Sequence, residues 1–253
     1  MQTQTVTRRT FVLLGTMGLA AGLFGCAGKE TNSQAAGSEP STPKTAQETP
    51  TVGGWEVNTE EPASVLTTEQ QTVFENATKE YAGLEFKPAC TLGTQVVAGV
   101  NYAFLCLGMP TTSDAAPGWY VVVVYKDLQN TCEITSTKQI DVNNPATTNE
   151  AAPEDLVGGW SVAPEVFDAK TSIPGDAATA FATASEGYEG TPLSALALMG
   201  TQVVAGTNYR FLCASKPATP DVNSQLYVAD VYKDLKGAAE YTNVDSFDLL
   251  AYV

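Results

Sequence analysis

The sequence predicts a duplicated α+β fold, each copy an amphipathic helix packed on a four- to five-stranded antiparallel sheet. Three observations predict it. Gln95-Val96-Val97-Ala98-Gly99, with Asn101-Tyr102 and Phe104-Leu105-Cys106 after it, returns 107 positions later as Gln202 to Gly206, Asn208-Tyr209 and Phe211-Leu212-Cys213. Each copy carries apolar residues at helical spacing ahead of that phrase, and runs of period-two alternation within and after it. Gly53-Gly54-Trp55 returns as Gly158-Gly159-Trp160, and Val124-Tyr125-Lys126-Asp127-Leu128 returns as Val231 to Leu235. Two domains of roughly 100 residues follow, a common size for one domain.

The chain opens on an address. Arg8 and Arg9 precede an apolar run from Phe11 to Phe24, which is short for a membrane span and reads as a signal peptide over residues 1–25. Thr7-Arg8-Arg9-Thr10-Phe11-Val12-Leu13 resembles a twin-arginine export signal, and Leu23-Phe24-Gly25-Cys26 resembles a bacterial lipoprotein cleavage box. Together they imply export in the folded state, cleavage before Cys26 and lipidation of that cysteine, giving a surface protein held to the membrane by lipid alone. Residues 27–50 hold no large apolar residue, so residues 26–50 are expected to be a disordered tether. Such a chain spans on the order of 25 to 30 Å.

Domain 1 is expected over residues 51–142, a linker over 143–155 and domain 2 over 156–253. In domain 1, Thr67 and Gln70 have the spacing of a capping box, and Val73, Phe74, Ala77 and Tyr81 share a helical face that ends by Gly83. In domain 2, the helix begins near Asp176 and places Ala177, Ala180, Phe181, Ala184 and Tyr188 on one face. A hairpin centred near Ala98 then joins two strands. Tyr102, Phe104 and Cys106 should face the helix, as should Tyr120, Val122 and Val124, with Tyr209, Phe211, Cys213, Tyr227, Ala229 and Val231 as counterparts. Arg210 stands where domain 1 has Ala103, and Asp230 where it has Val123, which predicts a solvated second face. Last strands are expected from Ile134 to Val142 and from Tyr241 to Leu249. Each copy thus has a helix face and a sheet face of its own, and the sequence does not determine how the two copies are oriented.

Composition narrows the chemistry. A net charge of −15, more negative still once Arg8 and Arg9 are removed, disfavours nucleic acid and anionic lipid surfaces. The chain has no histidine, which removes imidazole-based hydrolysis and the commonest neutral zinc ligand. No glycine-rich phosphate loop and no paired cysteine spacing is present. No cofactor, metal site or catalytic residue is expected, and the chain reads as a non-enzyme. Cys106 and Cys213 share a position and suit small buried hydrophobes. If Cys90 lies opposite Cys106, an exported protein could join them; four free thiols are the other reading, since domain 2 has Ala197 at the place of Cys90.

The Val-Val-Ala-Gly tips place apolar residues where a plain turn favours Asn, Asp or Pro. In a purely structural reading, Gln95 and Gln202 cap strand ends and Gly99 and Gly206 simply permit the turn. The two pentapeptides, with the Asn-Tyr that follows, also resemble the first inhibitory hairpin of the cystatins, inhibitors of papain-like cysteine proteases, whose pattern is Gln-x-Val-x-Gly. Thr51-Val52-Gly53-Gly54 and Leu156-Val157-Gly158-Gly159 resemble the glycine-bearing trunk of that family.

The resemblance implies a cystatin-like fold and a wedge that plugs a protease cleft, formed by Gly53 or Gly54 with Gln95, Val96, Val97, Ala98 and Gly99. In domain 2 the same wedge is Gly158 or Gly159 with Gln202, Val203, Val204, Ala205 and Gly206. The family's third element, a Pro-Trp in the second hairpin, is missing; Leu128 and Leu235 stand in that loop as its apolar contacts. The expected partner is a papain-like protease, and the competing expectation is an extracellular binding module for a protein, peptide or glycan, with tandem sites giving avidity.

Overall fold

The structure, a computed structural model, describes residues 53–58, 66–111, 116–145, 159–162, 173–215 and 225–253. The expected signal peptide with Arg8 and Arg9, Cys26 and the tether, and Gly158 lie outside the described residues.

Copy one runs β1 (Trp55–Val57), α1 (Thr68–Thr78), β2 (Leu84–Val97), β3 (Gly99–Pro110), β4 (Gly118–Lys126) and β5 (Cys132–Ile140). Copy two runs α2 (Gly175–Ser185), β6 (Ser194–Val204), β7 (Gly206–Ser215), β8 (Gln225–Lys233), β9 (Ala239–Phe247) and a 3-10 turn, Leu249–Ala251. The first sheet has the order β1-β2-β3-β4-β5 and the second β6-β7-β8-β9, all antiparallel neighbours in sequence. Where β1 pairs with β2 in copy one, the described residues of copy two have a bridge between Ser161 and Thr201.

Local chemistry accounts for the helix starts. Thr67 caps α1 by accepting from the Gln70 amide at 3.2 Å, and the Gln70 side chain accepts from the Thr67 amide at 2.8 Å. This satisfies two amides that the first turn would leave without partners. At α2 the cap position is Pro174, with no side-chain cap bond, so that helix depends more on its buried face. Ala177, Ala180, Phe181 and Ala184 are all buried. Phe74 meets Phe104 edge-on at 5.2 Å between ring centroids, and Phe181 meets Phe211 the same way at 5.0 Å.

The helix-facing residues are those the alternation predicts: Tyr102, Phe104, Cys106, Val122 and Val124 in one core, and Tyr209, Phe211, Cys213, Ala229 and Val231 in the other. The opposite face is not solvated. Cys90, Leu92, Ala103, Leu105, Leu107, Trp119, Val121 and Ile140 of the first sheet share a third core with Leu196, Met199, Leu212, Leu226, Val228 and Phe247 of the second. The two sheets pack face to face, and their central strands β3, β4, β7 and β8 are buried on both faces.

Arg210 and Asp230, whose charges argue for a wet face, lie inside this layer. They are directly opposite in register on β7 and β8 and bond twice, at 2.7 and 2.6 Å. Arg210 also donates to the carbonyls of Val142 and Asn143, at 2.6 and 3.3 Å, and lies 4.2 Å over the Trp160 ring. It therefore gathers residues from both sides of the expected linker.

The contact between sheets is reciprocal. A Cβ on Gly200 would come 3.0 Å from Val142, and one on Gly93 would come 3.2 Å from Leu249; Gly93 and Gly200 are one repeat length apart, as are Val142 and Leu249. The same patch is used twice, as in an isologous interface. Trp119 adds an indole N–H bond to the Met199 carbonyl at 2.7 Å, and the Tyr252 hydroxyl donates to the Pro145 carbonyl at 3.0 Å. The orientation that the sequence left open is set by this shared core.

Of the two readings of the thiols, the structure has the free one: Cys90, Cys106, Cys132 and Cys213 are not bridged. A bulge in β2 sets Pro88 opposite Cys106 and Cys90 opposite Leu105. Cys90 consequently points into the layer between the sheets while Cys106 points towards α1. The last strands also end two residues earlier than expected, at Ile140 and Phe247.

Candidate docking edge at the hairpin end of each sheet

At one end of the first sheet, the β2-β3 turn lies beside the β4-β5 loop, because Val100 pairs with Lys126. Val97, Ala98 and Leu128 are exposed there, and the Gly53 amide reaches the same end by donating to the Val96 carbonyl at 3.1 Å. The three segments expected to act together are thus brought together. Val203, Val204, Ala205 and Leu235 occupy the equivalent edge of the second sheet, also exposed, with Thr207 paired to Lys233 beneath them.

Hydrogen bonds and close packing brace each tip. Gly99 and Gly206 are buried, both at φ +134°, and a Cβ on either would lie 2.4 Å from the carbonyl oxygen of Lys126 or Lys233. Only glycine permits that close approach. The Tyr125 hydroxyl donates to the Ala98 carbonyl at 2.6 Å, and Tyr232 does the same to Ala205. Gln95 donates to the Gly53 carbonyl at 3.0 Å and accepts from Asn101 at 2.7 Å; Asn208 donates to Gln202 at 2.6 Å. The glutamines brace the turn, and the valines and leucines are what the edge displays.

The helix N-terminus ties into the same end. Lys126 pairs with Glu69 at 2.6 Å, and the Tyr102 hydroxyl donates to Glu69 at 3.2 Å. Lys233 and Tyr209 hold Asp176 in the same way. The lysine bond, more than the tyrosine, holds the Glu69 carboxyl below the usual carboxylate range, and Lys233 does so for Asp176. Burial, helped by Asp176, pushes the Tyr209 hydroxyl up to about 12.

The second loop is shaped by an aspartate. Asp127 accepts from the amides of Gln129 and Thr131 at 2.8 and 2.7 Å, and Asp234 accepts from Lys236 and Ala238 at 2.8 and 2.9 Å. Asn130 and Gly237 take the positive φ that the turn needs, at 67° and 96°. This Asx-type turn lifts Leu128 and Leu235 clear of the sheet.

Sequence reasoning missed the bracing residues: Tyr125, Tyr232, Asn101, Asn208, Lys126, Lys233, Glu69 and Asp176. Their signal was the repeat itself, since the Asn-Tyr and Val-Tyr-Lys-Asp-Leu phrases recur with the turn they support. Gly54 and Gly159 are half-buried trunk residues next to Trp55 and Trp160. Among the described residues no three of His, Cys, Asp and Glu meet in a way that could hold a metal ion. No family model matches the chain, and no curated protein matches it.

Proposed function

We propose that this chain is a surface-anchored inhibitor of papain-like cysteine proteases, a non-enzyme whose hairpin edges plug the active-site cleft in the manner of the cystatins it resembles. The observation that carries this reading is the pairing, at one end of each sheet, of an exposed aliphatic turn with an exposed leucine on the adjacent loop, over a rigidly braced backbone. A convex, apolar, main-chain-rich edge suits a concave cleft. Its order before binding lowers the entropy lost on docking. A lipid on Cys26 and the tether of residues 27–50 would hold this body at the cell surface, within reach of extracellular proteases.

Without a Pro-Trp in the second loop, the edge lacks an aromatic anchor of the sort that often dominates interfaces. Weaker binding than a three-part wedge would give is therefore expected. Inhibition constants against a panel of papain-like proteases, with serine proteases as controls, test the reading. Nanomolar to low-micromolar inhibition confined to the cysteine proteases supports it. Retention on an immobilised protein or glycan without any inhibition would instead favour a binding module built on the same scaffold.

A further inference from the structure

The fold buries three of its thiols and pairs none of the four described. Cys90, Cys106 and Cys213 are fully buried, and Cys132, at the start of β5, is half-buried. Cys90 and Cys106 are close neighbours across β2 and β3, since Cys90 pairs with Leu105. Their side chains nevertheless leave opposite faces of the sheet. Cys90 belongs to the core between the sheets, with Leu92 and Ala103, and Cys106 to the core beneath α1, with Phe74 and Phe104. A disulfide needs Cβ atoms that point towards each other. This pair therefore closes only if β2 slips and Cys90 is turned over to the α1 face, out of the core between the sheets.

Folding also shields these groups chemically. A disulfide oxidant is attacked by thiolate, not thiol. Burial pushes the Cys90 thiol up to about 12 and raises those of Cys106 and Cys213 as well. The unfolded chain has neither shield, and there Cys90 and Cys106 are the pair with the shortest loop between them, the one that closes most readily. Closing it with oxidised glutathione takes two protein thiols and breaks one glutathione disulfide. Two reduced glutathione molecules leave with the protons and electrons of the protein thiols. Domain 2 reaches the same helix-on-sheet arrangement with Cys213 alone, because Ala197 and Ala239 stand at the places of Cys90 and Cys132.

We propose that this chain must fold with its thiols reduced, before it meets a disulfide oxidant, and that a bridge between Cys90 and Cys106 formed earlier traps it outside the native fold. Once folded, it withstands the same oxidant everywhere except at Cys132. The proposal is independent of the inhibitory reading, because it concerns how the body reaches its fold and not what the edges bind. It gives export in the folded state, implied by the resemblance around Arg8 and Arg9, a physical reason within the body itself.

The test uses the full chain carrying Cys26→Ser, which leaves Cys90, Cys106, Cys132 and Cys213 as its only thiols. The chain is denatured and reduced, then diluted either into dithiothreitol or into oxidised glutathione. Dithiothreitol should return the native thermal transition. Oxidised glutathione should leave most chains non-native, with Cys90 joined to Cys106 by peptide mapping, and later dithiothreitol should rescue them. Given oxidised glutathione after folding, the chain should be modified at Cys132 alone. The other three thiols should react more than about a hundredfold more slowly than in urea, being reached only when the core opens. Cys90→Ala combined with Cys132→Ala, which gives domain 1 the pattern of domain 2, should refold equally well in both buffers; should that variant fail even in dithiothreitol, the mapped bridge and its rescue decide alone. Native refolding of the four-thiol chain in oxidised glutathione would overturn the proposal, as would trapped chains in which Cys90 and Cys106 are not joined. Buried thiols that oxidise as fast in the folded chain as in urea would overturn it too.

Discussion

Arg210 and Asp230 form a buried, two-bond ion pair at the centre of the contact between the sheets, at the positions that domain 1 fills with Ala103 and Val123. The charges do not mark a surface. They mark a place where the second sheet reaches across to the carbonyls of Val142 and Asn143.

Removing one partner should therefore cost far more than replacing both. Asp230→Val leaves a buried guanidinium without its carboxylate and is expected to cost about 3–5 kcal/mol. Arg210→Met combined with Asp230→Val should cost less than that single change. Urea unfolding of the three proteins measures both; a double variant less stable than Asp230→Val would contradict the assignment.

The shared core predicts joint unfolding. Leu105, Leu107, Trp119, Val121 and Ile140 of the first sheet are buried against the second, so the chain beyond the tether should melt in one cooperative transition. Phe74→Ala or Phe181→Ala, each removing a buried ring from a helix-sheet core, should lower that one transition by about 3–5 kcal/mol. Calorimetry resolving two transitions, with each substitution moving only one, would mean that the domains fold independently.

The turn glycines cannot serve as neutral test sites. Gly99→Arg looks harmless from the sequence, since it falls at a tip, but a Cβ there meets the Lys126 carbonyl oxygen and the Tyr125 ring. Even Gly99→Ala or Gly206→Ala should strain the hairpin by about 1–3 kcal/mol. Substitutions at Val97, Leu128, Val203 or Leu235, all exposed, should leave the melting temperature nearly unchanged. Thermal denaturation of both sets checks the contrast.

Stability should depend on pH at both extremes. Burial pushes the Tyr241 and Tyr252 hydroxyls up to about 12, above the usual tyrosine value of about 10. Between those values the unfolded chain has released protons that the native chain retains, so stability falls as pH rises through that window. At the acid end Glu69 and Asp176 are held below the usual carboxylate range. Their contribution is complete above that range and is lost as pH falls, but both are largely exposed and the loss should be small. Urea midpoints measured across pH should show a steeper alkaline limb, flattened in Tyr252→Phe.

The helix faces, the strand alternation and the hairpin at Ala98 were legible because period and repeat report them directly. The second core was written in the same strands, as the unbroken apolar runs Tyr102 to Leu107 and Trp119 to Val124, the mark of a sheet buried on both faces. Charges at the places of Ala103 and Val123 argued against it. Only the register shows that Arg210 has Asp230 directly opposite, so that burial is compensated rather than forbidden. The sequence left the choice between a Cys90 bridge and free thiols open for a related reason: the bulge after Pro88 moves Cys90 to the other face, and nothing in the local sequence announces a bulge. At the docking edge, the displayed residues were legible as an apolar tip, whereas the brace from Tyr125 to Ala98 and the covering of Val96 by β1 depend on contacts far apart in sequence.

The central claim is that the hairpin edges occupy a protease active-site cleft, and the most direct measurement is protection of the protease's own catalytic thiol. A papain-like protease incubated with the unmodified chain at micromolar concentration should be alkylated by iodoacetamide much more slowly than the free enzyme, and substituting Val97, Leu128, Val203 and Leu235 together by Asp should abolish the protection and return alkylation to the free rate. An alkylation rate unchanged by the unmodified chain, across several such proteases, would contradict the account.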